Sequence, residues 1–480
     1  QFLQLSLSLS LPMFFRKPSP IQPQKPQQCT TKSQSLSKTK EPHITTINLS
    51  IKSTVFASFL IASCFLFLHF RRPTTTTTTT AVKTTATCKG SPPFYIYNLP
   101  PRFNLDLLKN CKNLNIYMNM CPHVTNNGLG QPLSKPSWYA THQFLAEMIF
   151  HARLENHVCR TWDPNQAVLF YIPFYGGLYS SSVFRQQNHT LRDSLAVDLI
   201  DHIKQQRWFN RYNGKDHFIS LGRTAWDFMR TKTGHDFGAN ILLNLPPVKN
   251  MSVLTVERQP WKGKNQNGIP YPSYFHPKTK NEMLTWQNKV RQNDRPFLFS
   301  FIGGKRKGLG KAKIRDELVK QCNESTRCEL VECGVANSKC HQPMEVLGVM
   351  MKSRFCLQAP GDSFTRRSTF DSVVAGCIPV FFSPHTAYTQ YAWYFPEERN
   401  TYSVYIEEGG VGKKRNLIEE VLMGISDEEV EKMREVVIGL IPRVSYSHPN
   451  VSDVGFSDAV DVALRGLFKV VRDNIGNNEI

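Results

Sequence analysis

The stretch from Ala359 to Phe382, APGDSFTRRSTFDSVVAGCIPVFF, sets two adjacent arginines, Arg366 and Arg367, between a Gly-Asp turn and an expected helix start at Ser368. Guanidinium groups are permanently charged and present paired donors that fit phosphate oxygens two at a time. RFCL (354–357) before the loop has strand composition, and CIPVFF after the helix reads as the next parallel strand. A strand–loop–helix unit leaves free backbone N–H groups and a positive dipole end at the loop. Gly361, Asp362, Ser363, Arg366 and Arg367 are therefore expected to hold a diphosphate. Asp371, three residues into the helix, reads two ways: as a partner for ribose hydroxyls, or with Ser368 as a capping box in which Asp replaces Glu/Gln. Asp362 is either a ligand residue or an Asx-turn residue. The arginines could instead form surface ion pairs worth little.

A second phosphate contact is expected at Arg306 in GGKRKGLGKAK (303–313), with a solvated basic loop as the alternative. This is not a Walker motif, because five residues separate Gly304 from Gly310-Lys311 and Ala312 stands where Ser/Thr would touch Mg²⁺. The chain has no D-x-D, so the usual carboxylate pair for a metal–diphosphate complex is missing and no metal site is expected. Fixed arginines would then neutralise a leaving group. Cys322, Cys328, Cys333 and Cys340, at spacings of six, five and seven, miss the C-x₂₋₄-C of zinc sites and favour disulfides. General-base candidates are Asp216 and His217 at a strand start, His142 near a helix start and Glu257 after a strand. Each also reads as a capped, solvated or core residue. The aromatics of YPSYFH (271–276) and AYTQYAWYF (387–395) are either platforms for flat sugar faces or core.

The elements that must position these groups follow from periodicity. Strands are predicted at Phe94–Asn98, Ala167–Phe174, His217–Leu221, Ser252–Val256, Phe297–Ile302, Arg354–Leu357 and Ile378–Phe382. Helices are predicted at Gln143–Arg153, Leu191–Gln205, Ala312–Cys322, Pro343–Met351, Ser368–Ala375, Asn416–Met423 and Asp427–Ile441. Short apolar runs alternating with helices predict βαβ units and buried parallel sheets. No internal repeat is present, which excludes solenoids and propellers. The Pro/Gly/Asn-rich stretch Gln259–Lys280 is the sharpest break in composition. The expected fold is α/β, two Rossmann-like domains (92–285 and 286–445) facing a cleft, with a C-terminal tail at 446–480 and ligands at the carboxyl ends of strands.

The chain has 480 residues and a net charge of +20, and half of that excess falls within residues 1–89, which carry eleven Lys/Arg against one acid. The dilution over the remainder argues against a nucleic-acid partner. Residues 53–70, STVFASFLIASCFLFLHF, form an 18-residue uncharged run that just spans a bilayer and reads as an uncleaved signal anchor. The preceding 1–52 reads as a disordered cytosolic tail, and translation is expected to start at Met13, leaving 1–12 as upstream sequence. Residues 71–91, with threonine unbroken from Thr74 to Thr80, read as a flexible O-glycosylated stalk. Four of five N-x-S/T sequons (Asn188, Asn250, Asn323 and Asn450, but not Asn48) and ten of twelve cysteines lie beyond the anchor. A lumenal body in a disulfide-permissive compartment is expected.

From Phe94 to Ile441 the chain resembles the exostosin-like glycosyltransferases of family 47, within them the plant xyloglucan galactosyltransferases. The motifs are FYIYNLPPRFN (94–104), WYATHQF (138–144), AVLFYIPFYGG (167–177), GKDHF (214–218), GIPYPSYFHP (268–277), RPFLFSFIGGKR (295–306), FCLQAPGDSFTRRSTFDSVVAGCIPVFF (355–382) and AYTQYAWYFP (387–396). The resemblance implies a type II Golgi membrane enzyme of GT-B architecture, inverting and without a bound metal, moving galactose from UDP-galactose onto xylosyl branches of xyloglucan. Relatives with the same motifs use galacturonic acid or arabinose donors, and association with other Golgi glycosyltransferases is a further expectation. A non-catalytic Golgi partner and a carbohydrate-binding membrane protein are the competing classes, and retention of the arginine pair, the GGKR loop and Asp371 speaks against both. The tail after Ile441 is shorter than the family pattern suggests.

Overall fold

The computed structural model describes residues 88, 90–231, 238–305, 310, 313–334, 338–414 and 416–476. Arg306, the 53–70 anchor, the cytosolic tail and nearly all of the stalk lie outside the described residues. Among the described residues no helix is long and apolar enough to cross a membrane.

Ala86–Ile480 forms one compact unit built on two five-stranded sheets. The first runs in the order β1 (Phe94–Ile96), β2 (Leu169–Ile172), β3 (His217–Thr224), β4 (Ser252–Glu257), β5 (Gln266–Gly268). The second holds β6 (Phe297–Gly303), β7 (Cys328–Glu332), β8 (Ser353–Gln358), β9 (Ile378–Phe381) and β10 (Val404–Tyr405), ordered β10-β9-β8-β6-β7. Every pairing is parallel, for example Phe170 with His217 and Phe355 with Ile378. The central strands are covered on both faces, so they carry unbroken apolar runs such as the wholly buried LFYI of β2 and IPVF of β9.

The longer helices are α1 (Ala146–Glu155), α2 (Gly176–Val183), α3 (His189–Lys204), α4 (Lys280–Arg291), α5 (Ile314–Glu324), α6 (Pro343–Met351), α7 (Ser368–Val374), α8 (Leu417–Met423), α9 (Asp427–Val444) and α10 (Ala459–Ile475). All seven predicted strands and all seven predicted helices are present within a few residues. Absent from the prediction were β5, β7, β10, α2, α4 and α10. The tail therefore contains a long helix, and α10 packs on α1 and β2 of the first sheet. It is fastened there by Asp458, which caps the helix through the N–H groups of Val460 and Asp461 and takes the buried Arg153 guanidinium of α1 at 2.9 Å.

One continuous apolar cluster runs through both sheets, joined by Trp138, Tyr271, Tyr274, Phe275 and Trp286. Much of the compositional break at 259–280 belongs to this core, since Ile269 and Tyr271 to His276 are buried, with Ser273 and His276 among the buried polar residues. Disulfides join Cys88–Cys159, Cys111–Cys121, Cys322–Cys328, Cys333–Cys340 and Cys356–Cys377. All ten cysteines beyond the apolar run are thus paired, and the four weighed for zinc form two bridges.

Candidate active site

The loop from Ala359 to Arg367 leaves the carboxyl end of β8, the central strand of the second sheet, and delivers the chain to α7. Cys356 on β8 is bridged to Cys377 just ahead of β9, which closes this unit covalently around the loop. The loop rests against the carboxyl edge of the first sheet. Glu257, the last residue of β4, accepts the backbone N–H of Thr365 at 2.8 Å and also its hydroxyl, while its other oxygen takes Trp226 Nε1 at 2.9 Å. Tyr271 Oη lies 3.0 Å from Thr365 Oγ1.

The two arginines are held differently. Arg367 is 22% exposed and pairs with Asp371 Oδ2 at 3.3 Å. It also donates to Thr141 O at 3.1 Å and to Tyr274 Oη, and its guanidinium lies 4.3 Å from the Tyr274 ring centroid. Arg366 donates only within its own loop, to Thr365 O at 2.7 Å and Ser363 Oγ at 3.2 Å, and has no acidic partner among the described residues. A Cβ on Gly361 would sit 1.8 Å from Arg366 Nη2, so the residue before Asp362 must be glycine for the guanidinium to lie across the turn. A charged guanidinium with no acidic partner among the described residues is a ready partner for an anion. Asp362 is exposed at the tip of the same turn.

Asp371 is buried, and its other oxygen accepts Ser273 Oγ at 2.6 Å. Burial raises its carboxyl above the ordinary value, against the lowering effect of Arg367 and Ser273. Neither sequence-level reading survives unchanged. Ser368 Oγ donates to Gln358 Oε1 at 2.6 Å, so no capping box forms, and both Asp371 oxygens are committed to protein groups rather than facing a ribose. Its work is to orient Arg367.

The four base candidates do not converge. Asp216 and His217 lie at the amino end of β3, whereas Glu257 and the loop meet at the carboxyl ends, about 20 Å away along a strand of this length. They form a closed chain: Arg211 and His217 Nδ1 on Asp216, each at 2.7 Å, and Tyr97 donating to His217 Nε2 at 2.7 Å. Burial lowers His217 below its ordinary value. This correction follows from the strand direction, which composition does not reveal. Glu257 reaches the right edge, but its carboxylate is wholly buried and spent on Thr365 and Trp226. His142 is near the loop: Thr141 touches Arg367, and the His142 ring packs 5.4 Å from His123 and 5.7 Å from Phe144. Burial first, then His123, Arg367 and Arg223, push it down to about 3. Phe144 N donates to its Nδ1 at 3.3 Å, so the neutral ring carries its proton on Nε2. An imidazolium beside two guanidiniums is disfavoured, which makes His142 a poor proton acceptor and a good neutral hydrogen-bonding group.

Two charged residues of this region stand outside the sequence motifs. Arg223, near the carboxyl end of β3, lies 4.8 Å over Phe144 and is fixed by Asp227 at 2.7 Å and Ser181 Oγ at 2.8 Å. Glu147 of α1 is buried and accepts the N–H groups of Gly177, Leu178 and Gly222 at 2.8–2.9 Å, tying α2 and β3 together; burial raises it to about 7. The strand-then-arginine pattern of SLGRT (220–224) repeats in type what drew attention to the Arg366 loop, and could have flagged Arg223. Of the aromatics read as sugar platforms or core, Tyr271, Tyr274, Phe275, Tyr391, Tyr394 and Phe395 are buried core, whereas Tyr388 and Trp393 are only partly buried.

Residues 88–421 match the family model described as the exostosin GT47 domain. A protein of Arabidopsis thaliana named "Probable xyloglucan galactosyltransferase GT17" is 60% identical over 429 residues, spanning 89% of this chain and 93% of that protein. Xyloglucan galactosyltransferase MUR3 of the same plant is 43% identical over 386 residues, 79% of this chain and 62% of MUR3. Xyloglucan galactosyltransferase XLT2 is 41% identical over 390 residues, 78% of this chain and 74% of XLT2.

Proposed function

The chain belongs to the exostosin GT47 family, and on that premise we propose that it transfers galactose from UDP-galactose to xylosyl side chains of xyloglucan, with inversion. Two parallel α/β sheets whose carboxyl edges meet support a GT-B arrangement with the donor between them. The observation that carries the chemistry is Arg366, a guanidinium without an acidic partner among the described residues, set on a glycine turn at that junction.

In the reaction, a xylose hydroxyl attacks the anomeric carbon of the donor, the bond from that carbon to the diphosphate breaks, and the electron pair leaves with UDP. The hydroxyl proton passes to a base. Negative charge grows on the diphosphate as the bond breaks, and a preorganised guanidinium there lowers the barrier. Arg366 contacts the phosphates directly, Arg367 adds its field from a position set by Asp371 and Tyr274, and neutral His142 offers Nε2–H to a sugar hydroxyl. Arg306 adds to the same charge in this reading.

The protein works in the Golgi as a single-pass type II membrane enzyme, anchored by 53–70 with its body lumenal. The ten paired cysteines of the body support an oxidising compartment, and all four sequon asparagines of the body are exposed. The test is to incubate the detergent-solubilised full chain with xyloglucan and UDP-galactose, UDP-galacturonic acid or UDP-arabinose, and to identify the new linkage. Galactose on xylose is expected. Transfer of a different sugar reassigns the donor, and no transfer in a UDP-binding sample overturns the reading.

A further inference from the structure

We propose that Trp226, Trp261, Phe364 and His385 form a platform for the neutral glucan backbone of the acceptor, an inference that rests on the transferase reading above. Each ring follows a different strand: Trp226 two residues after β3, Trp261 four after β4, Phe364 six after β8 and His385 four after β9. Two rings from each sheet therefore gather at the carboxyl edges, where open α/β sheets bind ligands. Trp261 is the hub, with centroids 6.3 Å from Trp226, 5.8 Å from Phe364 and 5.2 Å from His385, and Phe364 lies 5.2 Å from His385. All four contacts are edge-on, at 65–76°. Edge-on packing fixes the rings relative to one another.

Trp261 is 62% exposed, yet its backbone is held firmly. Gln259 Oε1 accepts the Trp261 N–H at 2.7 Å and that of Lys262, Gln259 N donates to Gln266 at 2.8 Å, and Arg258 is bound to Thr389 O and Gly263 O. Trp162 is more exposed still, but Arg160 stacks on it at 3.6 Å and occupies its face. Among the described residues no cation stacks on Trp261. Binding to prefixed rings loses little conformational freedom.

A pyranose ring is apolar on its C–H face and polar around its rim, so it suits an open indole face and needs no charge. A β-glucan backbone repeats that face along its length, which fits a row of rings better than a single one. Phe364 stands two residues before Arg366. A glucan lying on the platform would bring its xylosyl branches beside the diphosphate loop.

The experiment measures calorimetric binding of a xyloglucan oligosaccharide, and separately of UDP, to the full chain in detergent. Trp261→Ala should weaken oligosaccharide binding at least about tenfold, as truncating a central aromatic anchor does, and leave UDP affinity unchanged. Trp261→Tyr should recover most of the loss, which a merely structural role for the indole would not predict. Wild-type oligosaccharide affinity in Trp261→Ala overturns the platform while leaving the transferase reading intact. A wild-type chain that binds UDP but no xyloglucan oligosaccharide overturns both the platform and the acceptor assignment.

Discussion

Glu257 at the carboxyl end of the first sheet receives the backbone N–H and the hydroxyl of Thr365, the residue immediately before the arginine pair on the second sheet. A buried carboxylate on one sheet thereby sets the position of the arginine-bearing loop on the other. Replacing Glu257 by Gln puts an NH₂ against either Thr365 or the Trp226 indole N–H. One donor is left facing a donor, at a cost of about 1–3 kcal/mol. Denaturant unfolding should show that loss, and UDP affinity should fall with it because the loop loses its anchor. Unchanged UDP affinity in a destabilised variant would separate the loop from the fastening.

The arginines should behave differently when truncated. Arg366 has its described bonds inside its own loop, so Arg366→Ala is expected to change stability by less than about 0.5 kcal/mol and to lower kcat/KM roughly a hundredfold, the scale for losing one donor to developing charge. Arg367→Ala strips the partner from buried Asp371 and should destabilise the fold by about 2–3 kcal/mol. Thermal melts and kinetics on both variants check the contrast.

His142 makes acid stability depend on pH with a definite sign. Its folded value is depressed to about 3 from an ordinary 6.5, so between those limits the unfolded chain binds a proton that the folded chain refuses. The stabilising contribution is complete above pH 6.5 and drains away as the pH falls. Each unit is worth about 1.4 kcal/mol, so His142 alone should remove about 2 kcal/mol between pH 6.5 and pH 5. His142→Gln should flatten that limb, and the His142 ring should remain neutral by NMR until near pH 3.

The C-terminal helix should prove integral to the first sheet. Asp458→Ala removes the Arg153 partner, the cap of α10 and the acceptor for Ser447 N together. A loss of about 3–5 kcal/mol is expected, most of it from the buried Arg153 charge left without its carboxylate. Equilibrium unfolding of the variant tests it, and a loss below 1 kcal/mol would show that α10 is a dispensable appendage.

The strands that composition does not reveal lie at sheet edges. β5, β7 and β10 are three of the four sheet edges: CELVE of β7 is half polar because an edge strand is covered on fewer sides, while QNG of β5 and VY of β10 are too short to show a period. α10 lies in the stretch expected as a tail, although Asp458 and Asp461 form a capping box at its start. Apolar runs and the Arg-Arg turn could be read directly, since burial between helices and permanent charge both leave their mark in residue type. Composition alone could not say which aromatics were core. Tyr271 and Trp261 sit ten residues apart in one stretch, and only packing makes one a fastening of the sheets and the other an open face.

Local chemistry along the chain was enough to specify two parallel sheets, a loop with paired arginines after a strand and a cysteine set fit for oxidation. Which groups meet across the sheets had to wait for folding: Glu257 with Thr365, Asp371 with Ser273, and four rings from four strand ends. Strand direction and register decide whether residues separated by about a hundred positions share an edge or lie at opposite ends. Those quantities belong to the packing of the whole chain, because no short segment contains the partner that determines them.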